Sequence, residues 1–357
     1  MKQLHYRVRF VTPAFLGNAE QDGQWRTPPF KALLRQWWRV AFAADLGGVA
    51  SIAHLRAAEG DLFGVAADGD GDSRKSRIRI RLSRWDKGNL KSWAGQDSER
   101  VTHPEVKTRD GRPAPVGAQL YLGYGPLVFA QGQTALKTKA AIQAGEDATL
   151  SLALPSGAEG RQLDTALWLL QQYGTLGGRS RNGWGSFNLQ PTDENTPTLD
   201  ASLDPRLTSD WQDALAFDWP RAIGRDARGP LIWQTGALAD WKTVMLSLAK
   251  VKIGLRTQFV FPDVRPPHPQ PLERHWLSYP ITNHGTAAWD RQARLPNSLR
   301  FKVRIERDGK LRGVVFHIPC LPPAKIFKPD RKVIEGVWRK VHAFLDQPTS
   351  GLQRIGT

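Results

Sequence analysis

Residues 163–189 read LDTALWLLQQYGTLGGRSRNGWGSFNL, and the character of the sequence changes twice within them. The first part predicts a helix, because three leucines recur at the spacing of one helical face: Leu163, Leu167 and Leu170. Asp164 is placed to cap the start of this helix. Gly177 and Gly178 predict its end, since glycine readily adopts the left-handed conformation found there. A strand follows, so the segment predicts a helix, a glycine-rich loop and a strand.

The glycine-rich loop, residues 177–186, combines groups that suit a sugar-phosphate backbone. Its glycines leave backbone amides uncovered, its guanidinium groups match phosphates, and its indole offers a face for a base. The candidate binding residues are Gly177, Gly178, Arg179, Ser180, Arg181, Asn182 and Trp184. The alternative is an ordinary polar connection between a helix and a strand.

Residues 27–42, TPPFKALLRQWWRVAF, predict an amphipathic helix that Thr27 caps and that two prolines open. Its apolar positions follow the 3.6-residue period: Phe30, Leu33, Leu34, Trp37, Trp38, Ala41 and Phe42. Lys31, Arg35 and Arg39 recur every four residues on a neighbouring face, where like charges repel. This stripe either faces an anion outside the helix or is a solvated basic face.

Two strands with basic outer positions are predicted in the same half of the chain. Residues 4–10 alternate apolar and polar, and residues 73–82, SRKSRIRIRL, place Arg77, Arg79 and Arg81 on one face. Further strands are expected at 119–124 and 149–154. Three arginines along one strand face favour a polyanion laid across them.

The overall charge points the same way. Lys and Arg number 50 against 34 Asp and Glu, a net charge of +16, which indicates a polyanionic partner such as nucleic acid. The sequence has no apolar run of 18 residues and no lipidation signal, so no membrane partner is predicted. Cys320 is the sole cysteine, which fits a reducing cytoplasm, and the N-terminus has no secretory signal.

Residues 191–218 are rich in aspartate and proline and predict a boundary between two domains. Beyond it, 245–261 contains a strand-like apolar run, and 333–345 predicts a last helix. Residues 299–305 and 311–318 alternate around an Asp-Gly turn and predict a hairpin. Strands with interposed helices indicate an α+β fold.

No cofactor or metal site is predicted. The eight histidines are scattered, and no phosphate-binding loop motif is present. Asp68, Asp70 and Asp72 alternate as in a calcium loop but lack its closing glutamate, which favours a plain acidic loop. His275, Tyr279 and His284 lie close in sequence and are the candidates for metal-free ribonuclease chemistry, although a structural role is favoured for each.

Four blocks of the sequence carry a family resemblance: TPAFLGN at 12–18 with TPPFKALLRQWWRVAF at 27–42, LFG with SRKSRIRI at 62–80, GGRSRNGWGSF at 177–187, and RLPNSLRFKV at 294–303. In this order they resemble the RAMP superfamily of CRISPR proteins, in particular the first subunits of type III-B Cmr effector complexes. The chain departs from that pattern at Asn18 and at Asn182 to Trp184, as a diverged member would.

The resemblance implies two tandem ferredoxin-like (RRM-like, βαββαβ) domains with insertions. The domains would be residues 1–190 with the glycine-rich loop, an acidic linker or insertion at 191–218, and residues 219–357. It also adds Asn18, Arg74, Lys75 and Arg77 to the candidate RNA-binding residues. With Lys31, Arg35 and Arg39, the glycine-rich loop would line a single groove.

The resemblance further implies a non-catalytic subunit that caps the effector complex at the 3′ end of the guide RNA. Its partners would be guide RNA, target RNA and other RAMP subunits, with no small-molecule substrate. Two alternatives remain open: a metal-independent endoribonuclease that processes guide RNA, and a basic scaffold that contacts no RNA.

Overall fold

The computed structural model of the chain describes residues 1–47, 51–66, 73–96, 99–306 and 308–355. Helices and strands are mixed along these ranges, which confirms the α+β class. The aspartates at 68, 70 and 72 lie outside the described residues. No helix in the described ranges is long and apolar enough to cross a membrane.

The first half of the chain is built on a four-stranded antiparallel sheet, here called the first sheet. Its elements in chain order are β1 (Lys2–Phe10), α1 (Thr27–Asp45), α2 (Ile52–Phe63), β2 (Arg79–Leu82), β3 (Arg100–Lys107), β4 (Pro113–Gly117), α3 (Ala118–Gly123), β5 (Leu127–Ala130), β6 (Gln133–Leu136), β7 (Asp147–Leu154), α4 (Ala158–Tyr173) and β8 (Phe187–Pro191). The strand order is β2-β7-β1-β8, and β3-β4 and β5-β6 are separate hairpins.

The second half holds another four-stranded sheet, the second sheet, with the order β13-β14-β12-β15. Its elements are β9 (Thr208–Asp210), α5 (Trp211–Ala214), β10 (Ile223–Asp226), β11 (Gly229–Pro230), β12 (Ile232–Gln234), α6 (Trp241–Thr257), β13 (Leu299–Ile305), β14 (Leu311–His317), α7 (Ala324–Phe327), α8 (Arg331–Leu345) and β15 (Gln353–Arg354). Short 3₁₀ helices occupy Pro205–Leu207, Glu273–Trp276 and Pro348–Ser350.

The two sheets repeat one connection pattern. In each, strand, helix, strand, strand, helix and strand follow in order, namely β1-α1-β2-β7-α4-β8 and β12-α6-β13-β14-α8-β15. In each, the third strand lies beside the first, the second strand flanks the third, and the fourth flanks the first on the other side.

The halves stack as four layers: the first sheet, then α1 with α4, then the second sheet, then α6 with α8. The helix pair α1 and α4 contacts both sheets. Tyr6, Val8 and Phe10 of β1 share one apolar core with α1 and α4. On the other side of these helices, the Phe316 ring of β14 lies 5.0 Å from Tyr173 and 6.2 Å from Trp37, measured between ring centroids.

A buried lysine joins these layers. Lys302 of β13 is fully buried, and its Nζ donates to the Gln171 carbonyl at 2.5 Å and lies 3.4 Å from the Leu170 carbonyl. These carbonyls are at the C-terminal end of α4, where a cation is favourable. Burial, with Arg304 nearby, lowers the pKa of Lys302 well below its usual value.

The structure corrects both predicted ends of the helix in 163–189. α4 begins at Ala158, so Asp164 lies inside it and pairs with the Lys2 Nζ at 3.0 Å instead of capping it. The helix ends at Tyr173, before Gly177 and Gly178. It ends there because the chain turns extended at Gly174 and Leu176 then donates its N–H to the Gly185 carbonyl at 3.0 Å.

The helix predicted at 27–42 is observed as α1, with all seven expected apolar residues buried. Thr27 is not its cap, because the extended residue Arg26 takes that position and makes no side-chain cap bond. The strand predicted at 73–82 is shorter than expected. Only Arg79–Leu82 joins the sheet, since Arg74 and Arg77 instead form backbone hydrogen bonds with Val65 and Leu62 at the end of α2.

Two other predicted strands are helices. Residues 119–123 lie in α3, which ends before Tyr124, and the apolar run at 245–261 falls largely in α6. The strands predicted at 4–10 and 149–154, the hairpin β13-β14 and the last helix α8 are confirmed. The acidic segment 191–218 is not an open linker, because Leu207, Trp211 and Leu215 within it are buried, while Asp204 and Asp210 cap short helices.

Replacing Gly185 with alanine is expected to lower the free energy of unfolding by about 2–5 kcal/mol, from left-handed strain and overpacking. Gly185 has φ +65°, and a Cβ added there would lie 1.8 Å from the Leu176 carbonyl oxygen. Urea unfolding followed by circular dichroism measures the change. The matched control is Gly336→Ala in α8, where nothing lies within 4 Å and a gain of about 0.5–1 kcal/mol is expected.

Candidate nucleic-acid interface

A groove of about 660 Å³, the basic groove, runs between α1 and the chain that follows α2. The predicted stripe on α1 lines it. Lys31, Arg35 and Arg39 stand on one wall, and Arg74 stands on the other. Four cations thus converge on one depression, although Arg74 is also paired with Asp61.

The stripe has an internal carboxylate partner that the sequence did not indicate. Glu59 of α2 is 5% exposed and accepts from Arg35 Nε at 2.5 Å and Arg39 Nη2 at 2.9 Å. Burial alone would raise the pKa of Glu59, but the hydrogen bonds and charges of Arg39 and Arg35 lower it. Two of the three stripe cations are therefore held in place by the protein itself, which fixes their position in the groove wall.

Lys31 differs from its neighbours on the stripe. No carboxylate among the described residues pairs with its ammonium, and burial together with Arg35 lowers its pKa. A cation that is disfavoured by its surroundings gains most from an added anion. Lys31 is thus the stripe residue best suited to a ligand phosphate.

The glycines of the glycine-rich loop serve packing within the protein. Gly178 donates its N–H to the Phe15 carbonyl at 2.9 Å, and a Cβ on Gly177 would lie 2.7 Å from the same oxygen. The loop therefore rests on the segment that precedes α1. The close approach of the two backbones is the reason for glycine at positions 177 and 178.

Two further loop residues bind the second half of the chain. The Phe301 N–H donates to the Arg181 carbonyl at 3.0 Å, and Arg181 Nη1 donates to the Asn297 carbonyl at 2.7 Å. Asn182 donates to the Leu122 carbonyl and accepts from Lys252 Nζ at 2.8 Å. These contacts show that Arg181 and Asn182 connect the halves of the protein.

Trp184 was predicted to stack on a base, and the structure contradicts this role. Its side chain has no exposed area, and its ring centroid lies 5.3 Å from Phe15, 5.6 Å from Trp93 and 5.9 Å from Trp241. The positive φ angles of Gly183 and Gly185 turn the backbone on either side of it. An indole enclosed in this way cannot meet a base.

A second groove, the glycine-lined groove, has a volume of about 750 Å³ and lies beside the glycine-rich loop. Its floor and walls contain four glycines: Gly17, Gly23, Gly125 and Gly178. Lys87, Lys137 and Lys139 line it as well, opposed by Glu20 and Asp22. The exposed Arg179 lies at its edge, since a Cβ on Gly125 would be 3.4 Å from Arg179 Nη2.

Two exposed aromatic residues stand close to this groove, and no sequence pattern distinguishes them as binding residues. Tyr124, next to Gly125, is 59% exposed, and Trp85, two residues before Lys87, is 53% exposed. Exposed rings beside a cationic groove suit base stacking. In a chain with fourteen tryptophans, only burial distinguishes such residues from the core.

The remaining predicted residues have different surroundings. Asn18 forms a turn, in which its Oδ1 accepts from the Glu20 and Asp22 N–H groups. Arg77 pairs with Glu159 at 2.7 Å on the surface, Lys75 is exposed, and Ser180 is half-buried. The single groove expected from the sequence is not observed. The basic groove and the glycine-lined groove share no lining residue.

The histidine candidates for catalysis have structural roles. His275 is fully buried, its Nδ1 accepts from the Leu272 N–H at 2.9 Å, and its Nε2 lies 2.7 Å from the His284 carbonyl. Both ring nitrogens are thus engaged, which contradicts a proton-transfer role for His275, and Tyr279 is buried beside it. Within the described ranges, no three His, Cys, Asp or Glu side chains are grouped to hold a metal ion.

The family model of the RAMP superfamily matches residues 7–188, which is more than half of the chain. This chain belongs to the RAMP superfamily. The matched span runs from β1 into β8, so it includes the first sheet, the basic groove and the glycine-rich loop. No curated protein sequence matches the chain.

Solved structures similar to this RAMP chain extend over both halves. Cmr1 from Pyrococcus furiosus, in its apo form, is 14% identical, with 96% of this chain and 97% of that chain covered and a TM-score of 0.45. A chain of the type III-B Cmr-beta complex bound to cognate target RNA and AMPPnP is 12% identical. It covers 96% of this chain and 99% of its own length, with a TM-score of 0.50. At this identity the second likeness shows a shared fold.

Trp184→Ala is expected to lower the free energy of unfolding by about 3–5 kcal/mol, the cost of removing a large buried aromatic ring. Chemical denaturation measures this loss. Trp85→Ala is the matched control, because Trp85 is largely exposed and its removal should change stability by less than about 0.5 kcal/mol. A Trp184→Ala protein with unchanged stability but weakened RNA binding would restore the stacking role.

Proposed function

We propose that this RAMP protein is a non-catalytic RNA-binding subunit of a type III, Cmr-like CRISPR effector complex. The observation that carries the proposal is the glycine-lined groove, in which three lysines and the less crowded glycines Gly17 and Gly125 meet next to Arg179, with Lys87 also paired to Asp22. Glycine permits a sugar-phosphate chain to approach the backbone closely, and the cations neutralise its phosphates. Tyr124 and Trp85 would stack the bases.

The basic groove would be a second contact for the same RNA or for a different strand. Its cations are arranged by Glu59, so little side-chain order would be lost on binding. Recognition in both grooves would rest on phosphates, which carry no sequence information. Weak sequence preference and strong dependence on salt are therefore expected.

The structural likeness supports placement in such a complex. The similar chain belongs to a type III-B Cmr-beta complex bound to cognate target RNA. We propose that the partners of the present chain are guide RNA, target RNA and other RAMP subunits, in the cytoplasm. Its position would be the cap at the 3′ end of the guide RNA.

We also propose that the two sheets represent two tandem ferredoxin-like domains. Their identical connection order supports this, because βαββαβ folds place the strands in the order 4-1-3-2. The proposed domains are residues 1–190 and 219–357, with 191–218 as an insertion packed between them. The hairpins β3-β4 and β5-β6 would be insertions in the first domain.

The endoribonuclease alternative has no observation in its favour. Its best candidate, His275, has both nitrogens occupied by backbone groups. Its neighbour His284 lies with Nδ1 3.3 Å from Nε2 of His268, a residue that is 2% exposed. A base that is bound to another buried ring is poorly placed to take a proton from a 2′-hydroxyl.

RNA binding by the glycine-lined groove is tested with the triple variant Lys137→Gln, Lys139→Gln and Arg179→Gln. Loss of three phosphate contacts should weaken single-stranded RNA binding roughly 100-fold at about 0.1 M salt and reduce the salt slope by about 2. Filter binding across a salt series measures both quantities. Arg181 is left unchanged, because its substitution would break contacts between the halves.

The matched control is Arg109→Gln with Arg112→Gln. Both arginines are exposed in the β3-β4 turn and line neither groove. Its affinity should remain within twofold of the unsubstituted protein. An equal loss in both variants would indicate a general effect of net charge and count against the groove.

Labelled guide-repeat RNA incubated with the protein in EDTA is expected to remain intact, because His275 is engaged by backbone groups and His284 by another histidine. Denaturing gel electrophoresis measures the products. A single defined cut that disappears in the His284→Ala variant would establish the endoribonuclease and overturn the non-catalytic assignment. The His5→Ala variant, altered at a distant histidine of β1, is the control.

A further inference from the structure

Within the described ranges, no further layer covers the outer face of the first sheet. In the four-layer stack, α1 and α4 cover one face of this sheet, and the residues that point the other way form what we call the open sheet face. Four arginines project from it: Arg7 and Arg9 on β1, and Arg79 and Arg81 on β2. All four are exposed, and neither groove includes them.

These arginines have no carboxylate partner among the described residues. Asp147 is the acidic strand residue on the same face and lies opposite Arg9 in the register, but the two form no ion pair. By contrast, the neighbouring basic residues Arg77 and Arg84 are each paired with a carboxylate. Within the described part of the chain, the cationic charge of the open sheet face is therefore uncompensated.

The strand between the two arginine rows presents small side chains. Thr149, Ser151 and Ala153 of β7 lie opposite β1, and a trough of about 280 Å³ runs along Ser151 and Ala153, with Arg79 and Arg81 on one side and Gln3 and His5 on the other. The row formed by Arg7 and Arg9 lies two strand spacings from β2, about 10 Å, and further along β1 than the trough. The face is thus a shallow polar trough with two arginine rows set diagonally across β7.

The second sheet shows how this protein covers a similar basic face with another layer. There Arg300, Lys302 and Arg304 of β13 point toward α1 and α4, and Lys302 donates to the carbonyls at the end of α4. Beside them stand Val314 and Phe316, which supply the apolar contact for the helices.

The open sheet face has no such apolar residues between its cations. Its central positions are hydroxyl-bearing or small, so a packed helix layer from another protein would find little apolar surface to bury. Phosphates and ribose hydroxyls are matched by guanidinium groups and small polar side chains. Nucleic acid fits this face better than a protein layer does.

We propose that the open sheet face binds the backbone of an A-form RNA duplex. The one aromatic ring among its strand residues is His5, whose Nδ1 lies 3.0 Å from Ser151 Oγ, so the bases of a single strand would find little on which to stack. A duplex needs no such ring, since its bases are already stacked and its recognition rests on phosphates and 2′-hydroxyls. The two arginine rows would contact phosphates of the two strands, with β7 beneath the minor groove. The inference rests on the proposed RNA-binding function and adds guide–target duplex as its ligand.

The test compares a 20-base-pair RNA duplex with a 20-nucleotide single strand for two triple variants. The sheet variant carries Arg7→Gln, Arg79→Gln and Arg81→Gln, and the groove variant carries Lys137→Gln, Lys139→Gln and Arg179→Gln. The sheet variant should lose duplex affinity roughly 10²–10³-fold at about 0.1 M salt. Its affinity for the single strand should stay within twofold, and the groove variant should show the reverse.

Several outcomes would overturn the inference. Unchanged duplex binding by the sheet variant excludes the face, and an equal loss of both ligands excludes a preference for duplex. Equal affinity for a DNA duplex of the same sequence would exclude recognition of the A-form geometry and 2′-hydroxyls. If the unsubstituted protein binds the duplex and not the single strand, the groove proposal fails while this one stands.

Folding is controlled by thermal melting and by a single variant. All four arginines are exposed, so the substitutions should leave the melting temperature unchanged. Arg81→Glu alone should weaken duplex binding more than Arg81→Gln does, because it repels phosphate. Arg109→Gln with Arg112→Gln, in the β3-β4 turn, should bind both RNAs as the unsubstituted protein does.

Discussion

The architecture depends on the closure of the glycine-rich loop between α4 and β8. Leu176 and Gly185 meet through their backbones, with no room for a side chain on Gly185. This closure directs the Arg181 carbonyl to the N–H of Phe301 in β13. The loop that ends the first half of the chain therefore also fixes where the second sheet lies. Arg181 and Trp184 belong to that joint. Arg179, in contrast, remains exposed beside the glycine-lined groove.

The stacking of layers determines which cations are available to a ligand. Lys302 and Arg300 lie under α1 and α4, where their charge is met by carbonyls or by the Trp37 ring. Burying such a charge costs several kcal/mol unless polar groups surround it, so these residues contribute to the joint and not to binding. The cations of the two grooves and of the open sheet face keep contact with water. These cations all lie in the first half of the chain, although the two halves contribute equally to the net charge of +16.

Much of the fold could be predicted where periodicity was regular. The apolar stripe of α1, the alternation of β1 and the Asp-Gly hairpin all depend on neighbours in sequence. The strand predicted for the apolar run in α6 was wrong, because helical and strand patterns look alike when most positions are buried. The residues of the candidate site were harder to predict from the sequence than the fold. Glu59 meets Arg39 only after α2 packs on α1, and Trp184 is enclosed by Phe15 and Trp93 from distant segments. Such partners are set by tertiary contacts that no local pattern contains.

The position of α1 and α4 between two sheets has a consequence for synthesis of the chain on the ribosome. The first sheet can form once β8 has emerged, but Trp37 and Tyr173 then still present an apolar surface to water. That surface is covered only when β14, more than a hundred residues later, packs against it. A nascent chain halted between these points displays a large exposed aromatic patch. The first half therefore cannot bury this surface until the second half has been synthesised.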